Sequence, residues 1–144
     1  MENIIIASIN CHRQTRLITD KQLQIQELIR YHHIDVLCCQ ETLIDENTFS
    51  QCDFVSNNFT IIVNNSTNQY GTAMIVRNNI PINEVNMDSN GRVISINSNN
   101  YTFTNVYPSA GTDASSRQAR EKLLSNTLPN LLHNRRQAGA ICGD

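Results

Sequence analysis

The sequence predicts an α/β fold in which helices pack on mostly buried β-strands. Three observations support this: residues 4–41 show a strand–helix–strand pattern, residues 59–108 contain several short strands, and residues 113–144 return to helix and then strand. The chain has 144 residues and is 40% hydrophobic and 17% charged. This length and composition suit one domain with a buried core and exclude compositional disorder.

The N-terminal unit begins with Ile4–Asn10, a short β-branched run that predicts a buried strand. A helix follows, with Thr19 or Asp20 as its N-cap. Its apolar positions recur at the spacing of one helix face, which carries Ile25, Leu28, Ile29 and His32. A second apolar strand, Ile34–Glu41, completes a β-α-β unit with a buried sheet.

The middle of the chain predicts four short strands, separated by turn residues and spaced about ten residues apart. They correspond to the segments FTIIVNN, GTAMIVRNN, GRVISINS and NYTFTNVYP. In the third segment, Val93, Ser95 and Asn97 alternate with Ile94 and Ile96, so the two faces of the strand differ. We therefore expect an antiparallel meander with one polar face.

The last third of the chain predicts helix followed by strand. Asp113, Ser115 or Ser116 can cap the helix at its beginning. Pro129 cannot occupy an unbroken helix interior, so we expect a break near Thr127 and a short second helix with proline in its first turn. A final apolar segment predicts a strand at the C-terminal end of the sequence.

Charge and cysteine content restrict the class of protein. The net charge is -2, so composition alone does not indicate nucleic-acid binding, and any such function must be argued from motifs. The five cysteines include no CxxC pair, which favours free thiols in a reducing, intracellular compartment. The sequence predicts neither a signal peptide nor a membrane span, so we expect no membrane partner.

Polar side chains follow three of the apolar strands at their carboxyl ends: Asn10, Glu41 and Asp144. In open α/β sheets, ligand sites gather at this edge. Two carboxylates and an amide oxygen are hard ligands that suit Mg²⁺ or Mn²⁺ better than zinc, and such a cation stabilises charge on a phosphate. The alternative is that each side chain is simply the first solvated residue after its strand.

Six short motifs follow one another along the chain: SIN, DVLCCQET, GTAMIVR, GRVISI, TNVYP and GD. In this content and order the sequence resembles the endonuclease/exonuclease/phosphatase superfamily, whose fold is that of deoxyribonuclease I. It is most similar to the apurinic-type endonuclease domain of non-LTR retrotransposons. The resemblance implies a four-layer α/β/β/α sandwich. It implies that residues 1–144 are the N-terminal portion of one such domain, truncated at the GD motif, with most of the second sheet beyond it.

The resemblance assigns roles to four residues. Asn10 matches the amide that lies near the metal and the phosphate, and Glu41 matches the metal-ligand glutamate. Tyr107 matches the tyrosine whose hydroxyl contacts the scissile phosphate, and Asp144 matches the aspartate that positions or deprotonates the attacking water. Mg²⁺ or Mn²⁺ would be held by Glu41 and Asn10, and no small-molecule cofactor is implied.

The sequence departs from the family pattern at three points. Cys11 stands where a glycine is usual, Ser8 where an asparagine is usual, and Tyr107 is followed directly by Pro108 without the alanine often found between them. The remaining catalytic residues of the family would lie beyond Asp144. We therefore expect no activity from this chain alone.

The resemblance implies metal-dependent hydrolysis of a phosphodiester, with water as the nucleophile. In the intact protein we expect a DNA-nicking endonuclease that acts in the nucleus, with a reverse transcriptase domain on the same polypeptide. Two alternatives stay open. One is another branch of the superfamily, such as a phosphatase, a sphingomyelinase or a deadenylase, and the other is a non-catalytic remnant.

Overall fold

The computed structural model describes residues 3–12, 19–42, 44, 47–66, 69–108, 111–132 and 138–143. In chain order its elements are β1 (Ile6–Asn10), α1 (Thr19–His32), β2 (Val36–Thr42), α2 (Asp53–Asn58), β3 (Phe59–Ser66), β4 (Gln69–Arg77), β5 (Glu84–Met87), β6 (Val93–Ser98), β7 (Tyr101–Val106), α3 (Ala114–Lys122), a π-helical turn (Leu123–Thr127), α4 (Leu128–Leu132) and β8 (Ala138–Gly143). The first sheet has the strand order β1-β2-β4-β3, and the second has the order β5-β6-β7-β8.

The central strands of the first sheet, β2 and β4, are buried on both faces. The pairing of β1 with β2 is parallel, and the pairings of β4 with β2 and β3 are antiparallel. On the outer face, Leu37 and Cys39 of β2 pack with Ile25 and Ile29 of α1. A strand that is covered on both faces must be apolar at successive positions, which explains the continuous apolar run of β2.

The two sheets pack face to face around a second apolar cluster. Strands of both sheets contribute to it: Val36, Cys38, Met74 and Val76 from the first, and Ile94, Ile96 and Phe103 from the second. The outer face of the second sheet is covered by the C-terminal helices, where Leu123 packs on Val93 and Val106. The layers are therefore helix, sheet, sheet and helix, as the resemblance to the α/β/β/α sandwich implied.

The four middle strands do not form one meander, contrary to the expectation from the sequence. β3 and β4 join the first sheet, whereas β6 and β7 pair with each other in the second. The division has a physical reason: β4 is apolar on both faces from Ala73 to Val76, so it needs a cover on each side. The polar face of β6 is not solvated either, because Ser95 is buried and its hydroxyl lies 3.1 Å from that of Thr104.

The described part of the chain already supplies four strands of the second sheet, and the share of that sheet that lies beyond residue 144 stays an expectation. The four strands come from residues 84–143, and β8 adds to β7 in parallel, with Val106 opposite Gly143. The hydrogen-bonding edge of β7 is thereby occupied by a segment that follows two helices in the sequence. Such a parallel crossover is a non-local pairing, which the local sequence pattern does not reveal.

Three details of the helices differ from or refine the prediction. Thr19 lies inside α1, and His32 is exposed although the helical spacing placed it on the apolar face. Asp113 is the N-cap of α3, where its carboxylate accepts a hydrogen bond from the backbone of Ser116. The expected break before Pro129 is a π-helical turn between α3 and α4, which keeps the chain helical where proline supplies no N–H. No helix in the described part of the chain is long and apolar enough to cross a membrane.

Candidate active site

The carboxyl ends of β1 and β2 lie side by side. The two strands run parallel with Asn10 opposite Gln40, so Asn10 ends β1 one position short of Glu41 in β2. The turn after β1 is tied to β2, because the backbone N–H of Cys11 donates to the carbonyl of Gln40 at 2.8 Å. This pairing brings Asn10 and Glu41 to one edge of the first sheet, as the sequence predicted.

Asn10 is held by the turn that follows it. Its side-chain Oδ1 accepts a hydrogen bond of 2.8 Å from the backbone N–H of His12. His12 has a left-handed backbone with a φ of 48°. This short loop bends back on the Asn10 side chain in the manner of an Asx turn, which fixes the amide at the end of the strand.

The backbone of Glu41 is in the left-handed region, with a φ of 52°. The pairing of β2 with β4 shifts register between Gln40 and Thr42, so Glu41 occupies a bulge. Simple alternation would direct its side chain to the helix-covered face, like that of Cys39. A bulge redirects a side chain, and here the Glu41 carboxylate reaches a partner on the second sheet. A left-handed non-glycine residue is costly and clusters at functional sites, which makes this position a candidate for function.

The partner of Glu41 is Tyr107, which directly follows β7. The Tyr107 hydroxyl donates to Glu41 Oε1 at 2.8 Å, so the two predicted site residues meet across the two sheets. Tyr107 is only 7% exposed. Burial raises the pKa of the Tyr107 phenol, and the neighbouring Glu41 carboxylate raises it further, against a lowering by Arg92. The phenol is therefore a neutral hydrogen-bond donor at physiological pH.

Arg92 covers the ring of Tyr107. Its guanidinium carbon lies 4.6 Å from the ring centroid, and Nη1 donates to the Tyr107 carbonyl at 3.3 Å. The Tyr107 backbone N–H in turn donates to the Arg92 carbonyl at 2.8 Å. Arg92 forms no ion pair with a carboxylate in the described ranges, so a positive charge stands beside the Glu41–Tyr107 pair.

The loop that carries Arg92 is built around Asp88. Oδ1 of Asp88 accepts from the backbone N–H groups of Arg92 and Val93 at 2.9 Å each, and also from the Asn64 amide at 2.9 Å. The Asn64 amide belongs to β3 of the first sheet and also donates to the Val93 carbonyl at 2.8 Å. Asp88 therefore fixes Arg92 relative to both sheets.

Two buried amides lie directly behind the Glu41–Tyr107 pair. Gln40 and Asn105 are 1% and 0% exposed. Gln40 Nε2 donates to Asn105 Oδ1 at 2.8 Å and to Ser8 Oγ at 3.0 Å. Asn105 Nδ2 donates to the carbonyls of Cys39 and Ala73, at 3.0 and 2.9 Å. Because Gln40 precedes Glu41 and Asn105 lies two residues before Tyr107, these bonds fix both sheets next to the site.

The residues present fit a divalent cation of the Mg²⁺ type. Glu41 supplies a carboxylate at the edge of the first sheet, and Asn10 supplies an amide oxygen at the end of the neighbouring strand. Mg²⁺ is usually bound by one or two protein carboxylates and keeps several waters, so this donor set suits it in kind. Across the described ranges, no group of three or more His, Cys, Asp or Glu side chains could hold a metal.

Asp144 lies outside the described residues, and its role stays a prediction. Gly143 before it is described, and it is opposite Val106 in the parallel pairing. A Cβ on Gly143 would lie 2.1 Å from the Val106 carbonyl oxygen, which is closer than real Cβ contacts. The glycine of the GD motif is thus needed for β8 to approach β7 next to Tyr107.

The sequence alone did not single out the supporting residues. Gln40 and Asn105 are parts of the QET and NVYP motifs, but polar residues in a strand were not expected to be buried between sheets. No local pattern in the sequence places Arg92 over the ring of Tyr107. Arg92 belongs to the GRVISI motif, which predicted a strand, and its place in that motif is the feature of the sequence that could have pointed to it as a site residue.

Comparison with solved structures shows several with this fold. An AP endonuclease from Archaeoglobus fulgidus superposes with a TM-score of 0.71 at 18% identity, over 100% of this chain and 57% of that one. A mannosyl-6-phosphatase from Bacteroides thetaiotaomicron has a TM-score of 0.69 at 13% identity, over 99% and 65%. An endonuclease/exonuclease/phosphatase family protein from the same bacterium has a TM-score of 0.68 at 14% identity, over 98% and 62%.

These similarities identify the fold. No protein-family model and no curated protein sequence matches the chain. The chain spans about three-fifths of the length of the three solved structures. The fold implied by the resemblance in sequence motifs, that of the endonuclease/exonuclease/phosphatase proteins, is therefore confirmed.

Proposed function

We propose that this chain is part of a metal-dependent hydrolase of phosphate esters, and that the intact protein is a DNA-nicking endonuclease. The observation that carries the proposal is the 2.8 Å hydrogen bond between Tyr107 and Glu41, beside the Arg92 guanidinium that lies 4.6 Å from the centre of the Tyr107 ring. The site thus combines a neutral hydrogen-bond donor, a carboxylate and a positively charged side chain at the edge where the two sheets meet. Such groups stabilise the charge that develops on a phosphate during hydrolysis.

Each residue would have a separate task. The Tyr107 hydroxyl has one hydrogen, so on substrate binding it would exchange its hydrogen bond to Glu41 for one to a phosphate oxygen, and Arg92 adds positive charge on the same side. Glu41, with Asn10, holds the cation, and Glu41 also fixes the orientation of the Tyr107 hydroxyl. When bound, Mg²⁺ or Mn²⁺ supplies charge stabilisation for the phosphate. Asp144 would position or deprotonate the water that attacks phosphorus.

The choice of DNA as the substrate rests on the sequence motifs, which are most similar to retrotransposon endonucleases, and on the structural likeness to an AP endonuclease. In this proposal a reverse transcriptase domain belongs to the same polypeptide, and the protein acts in the nucleus. The likeness to a mannosyl-6-phosphatase supports a second candidate, hydrolysis of a phosphate monoester.

Metal binding and cleavage test the proposal separately. Binding of Mn²⁺ to the chain is measured by the loss of the free-ion electron paramagnetic resonance signal, for the wild type, Glu41→Gln and the control Glu121→Gln. Glu121 is an exposed residue of α3. We expect Glu41→Gln to weaken Mn²⁺ binding at least about tenfold, because a coordinating carboxylate is lost, and the control to leave it unchanged.

Cleavage is measured on supercoiled plasmid, on a phosphodiester and on a phosphomonoester, with Mg²⁺ and with chelator. We expect no cleavage by residues 1–144 alone, and plasmid nicking by the protein obtained when the reading frame is followed past residue 144. Nicking by the short chain that Glu41→Ala abolishes would refute the first expectation. A longer, folded protein that binds Mn²⁺ and cleaves neither DNA nor the diester would refute the endonuclease, and cleavage of the monoester alone would favour a phosphatase.

A further inference from the structure

Four of the five cysteines form two thiol pairs between different segments. All five are free. The thiols of Cys11 and Cys39 are close enough to shift each other's pKa, and so are those of Cys38 and Cys142. The fifth cysteine, Cys52, has no cysteine among the groups that act on it. The adjacent cysteines of β2 therefore lie on opposite faces of the first sheet. Of the two thiol pairs, only Cys38–Cys142 connects the first sheet with the second.

The Cys38–Cys142 pair lies where the two sheets approach closely. Cys38 belongs to the cluster between the sheets, and Cys142 packs against that cluster. In the β7–β8 pairing Cys142 is opposite Asn105, whose amide reaches the Cys39 carbonyl at 3.0 Å. Parallel partners point to the same side of a sheet, so Cys142 points towards β2 as Asn105 does. Cα atoms of β2 and β8 come within 8 Å of one another.

The two thiols differ in access and in ionisation. Cys38 is 1% exposed, whereas Cys142 is the only one of the five cysteines that is not fully buried. The hydrogen bond from the Cys38 thiol lowers the pKa of Cys142 to about 7. The same hydrogen bond and burial raise the pKa of Cys38. Near neutral pH, Cys142 is thus partly a thiolate that solvent can reach, and Cys38 is its protonated neighbour.

We propose that Cys142 and Cys38 form an oxidation site that reacts with hydrogen peroxide and closes to a disulfide between the two sheets. In the first step the Cys142 sulfur attacks one peroxide oxygen, the O–O bond breaks, and the leaving hydroxide takes up a proton to become water. Cys142 is then a sulfenic acid. In the second step Cys38 loses its proton and attacks the Cys142 sulfur, the S–O bond breaks, and a second water leaves. Two thiols lose two electrons, and peroxide is reduced to two waters.

The position of β8 in the second sheet allows the strand movement that a disulfide needs. Bridged cysteines usually have Cα atoms about 4.4 to 6.8 Å apart, and Cα atoms of β2 and β8 already come within 8 Å, so closure needs at most a small shift of β8. Among the described strands β8 is hydrogen-bonded to β7 alone, and such a strand can shift more easily than one held on both edges. The product would join β8 covalently to the strand that carries Glu41.

The experiment exposes the reduced chain to hydrogen peroxide and then blocks the remaining thiols with N-ethylmaleimide. Intact mass measures the number of free thiols, and peptide mapping without reductant identifies the linked cysteines. We expect two fewer free thiols and one disulfide between Cys38 and Cys142. Cys38→Ser should stop at a sulfenic acid on Cys142 that dimedone traps, and Cys142→Ser should lose the reaction. The matched control Cys52→Ser should react like the wild type.

Three results would overturn the proposal, and the first two need only the wild-type chain. One is a disulfide that links other cysteines, such as Cys11 with Cys39. Another is oxidation of Cys142 that proceeds without consuming Cys38. The third is a rate of thiol loss in Cys142→Ser that is within about twofold of the wild-type rate, since the ionised thiol should dominate the reaction. Circular dichroism of each variant separates loss of reactivity from loss of folding.

Discussion

Replacing Asn105 by alanine should be among the most damaging single changes to the fold. Its side chain makes three buried hydrogen bonds, to the Cys39 carbonyl, the Ala73 carbonyl and the Gln40 amide, at 3.0, 2.9 and 2.8 Å. These bonds join β7 of the second sheet to β2 and β4 of the first. The mutation removes all three without providing water as a substitute partner, because Asn105 is 0% exposed.

The magnitude follows from the number of bonds. Each buried hydrogen bond contributes about 1 kcal/mol net, so the three together give about 3 kcal/mol. The Gln40 amide keeps two acceptors, Ser8 Oγ at 3.0 Å and the Cys38 carbonyl at 3.4 Å, which limits the additional cost of an unpaired donor. A loss of about 3 kcal/mol is a large part of the 5 to 15 kcal/mol that stabilises an ordinary domain.

The assay is urea unfolding followed by circular dichroism and by tyrosine fluorescence, since the chain contains no tryptophan. With an m value of about 1 to 3 kcal/mol per molar urea, the midpoint should fall by about 1 to 3 M. The control is Asn57→Ala, at an exposed position of α2, which should change stability by less than about 0.5 kcal/mol. If Asn105→Ala behaves like this control, the amide bridge does not hold the sheets together and the reasoning fails.

Three further predictions concern the site and its surroundings. Because burial and Glu41 raise the pKa of Tyr107, its tyrosinate absorbance should appear at higher pH than that of free tyrosine and be missing in Tyr107→Phe. The raised pKa means that the contribution of this phenol to stability is fully present below about pH 10 and is lost as pH rises through the folded-state pKa. Stability should therefore fall less steeply with rising pH in Tyr107→Phe, which has no phenol to ionise, and an equal or steeper fall in the variant would contradict the sign. Arg92→Gln should raise the Tyr107 pKa further, because the guanidinium lowers it, and an unchanged absorbance titration would contradict the stacked geometry. Gly143→Ala should destabilise the fold by about 1 to 3 kcal/mol in urea because its Cβ meets the Val106 carbonyl, whereas Ile141→Ala at an exposed position should have little effect; equal effects would refute the close approach of β8.

Much of the site could be predicted from the sequence because its residues directly follow strong strand patterns. The β-branched run before Asn10 and the apolar run before Glu41 are local signals, and both strands were placed correctly. The NVYP motif placed Tyr107 at the end of its strand. The contact between Glu41 and Tyr107 was not predicted, because it depends on a bulge and on the docking of the two sheets, which local patterns do not reveal.

The division of the strands between two sheets could not be read from local patterns. The pairing of β4 with β2, and of β8 with β7, joins segments that are far apart in sequence, and strand periodicity carries no information about such partners. The buried amides were missed for a related reason. Gln40 and Asn105 are polar, and only the position of the other sheet shows that they satisfy each other in the core.

The placement of Glu41 and Tyr107 on different sheets has a consequence for how the protein can lose its site. A partly folded state that keeps both sheets but lets them separate, as in a molten globule, would retain nearly all of its helix and strand. In that state the Glu41–Tyr107 hydrogen bond is absent, because it exists only when the sheets are docked. Preparations with a normal far-ultraviolet spectrum can therefore lack the site entirely, and near-ultraviolet tyrosine signals distinguish the two states.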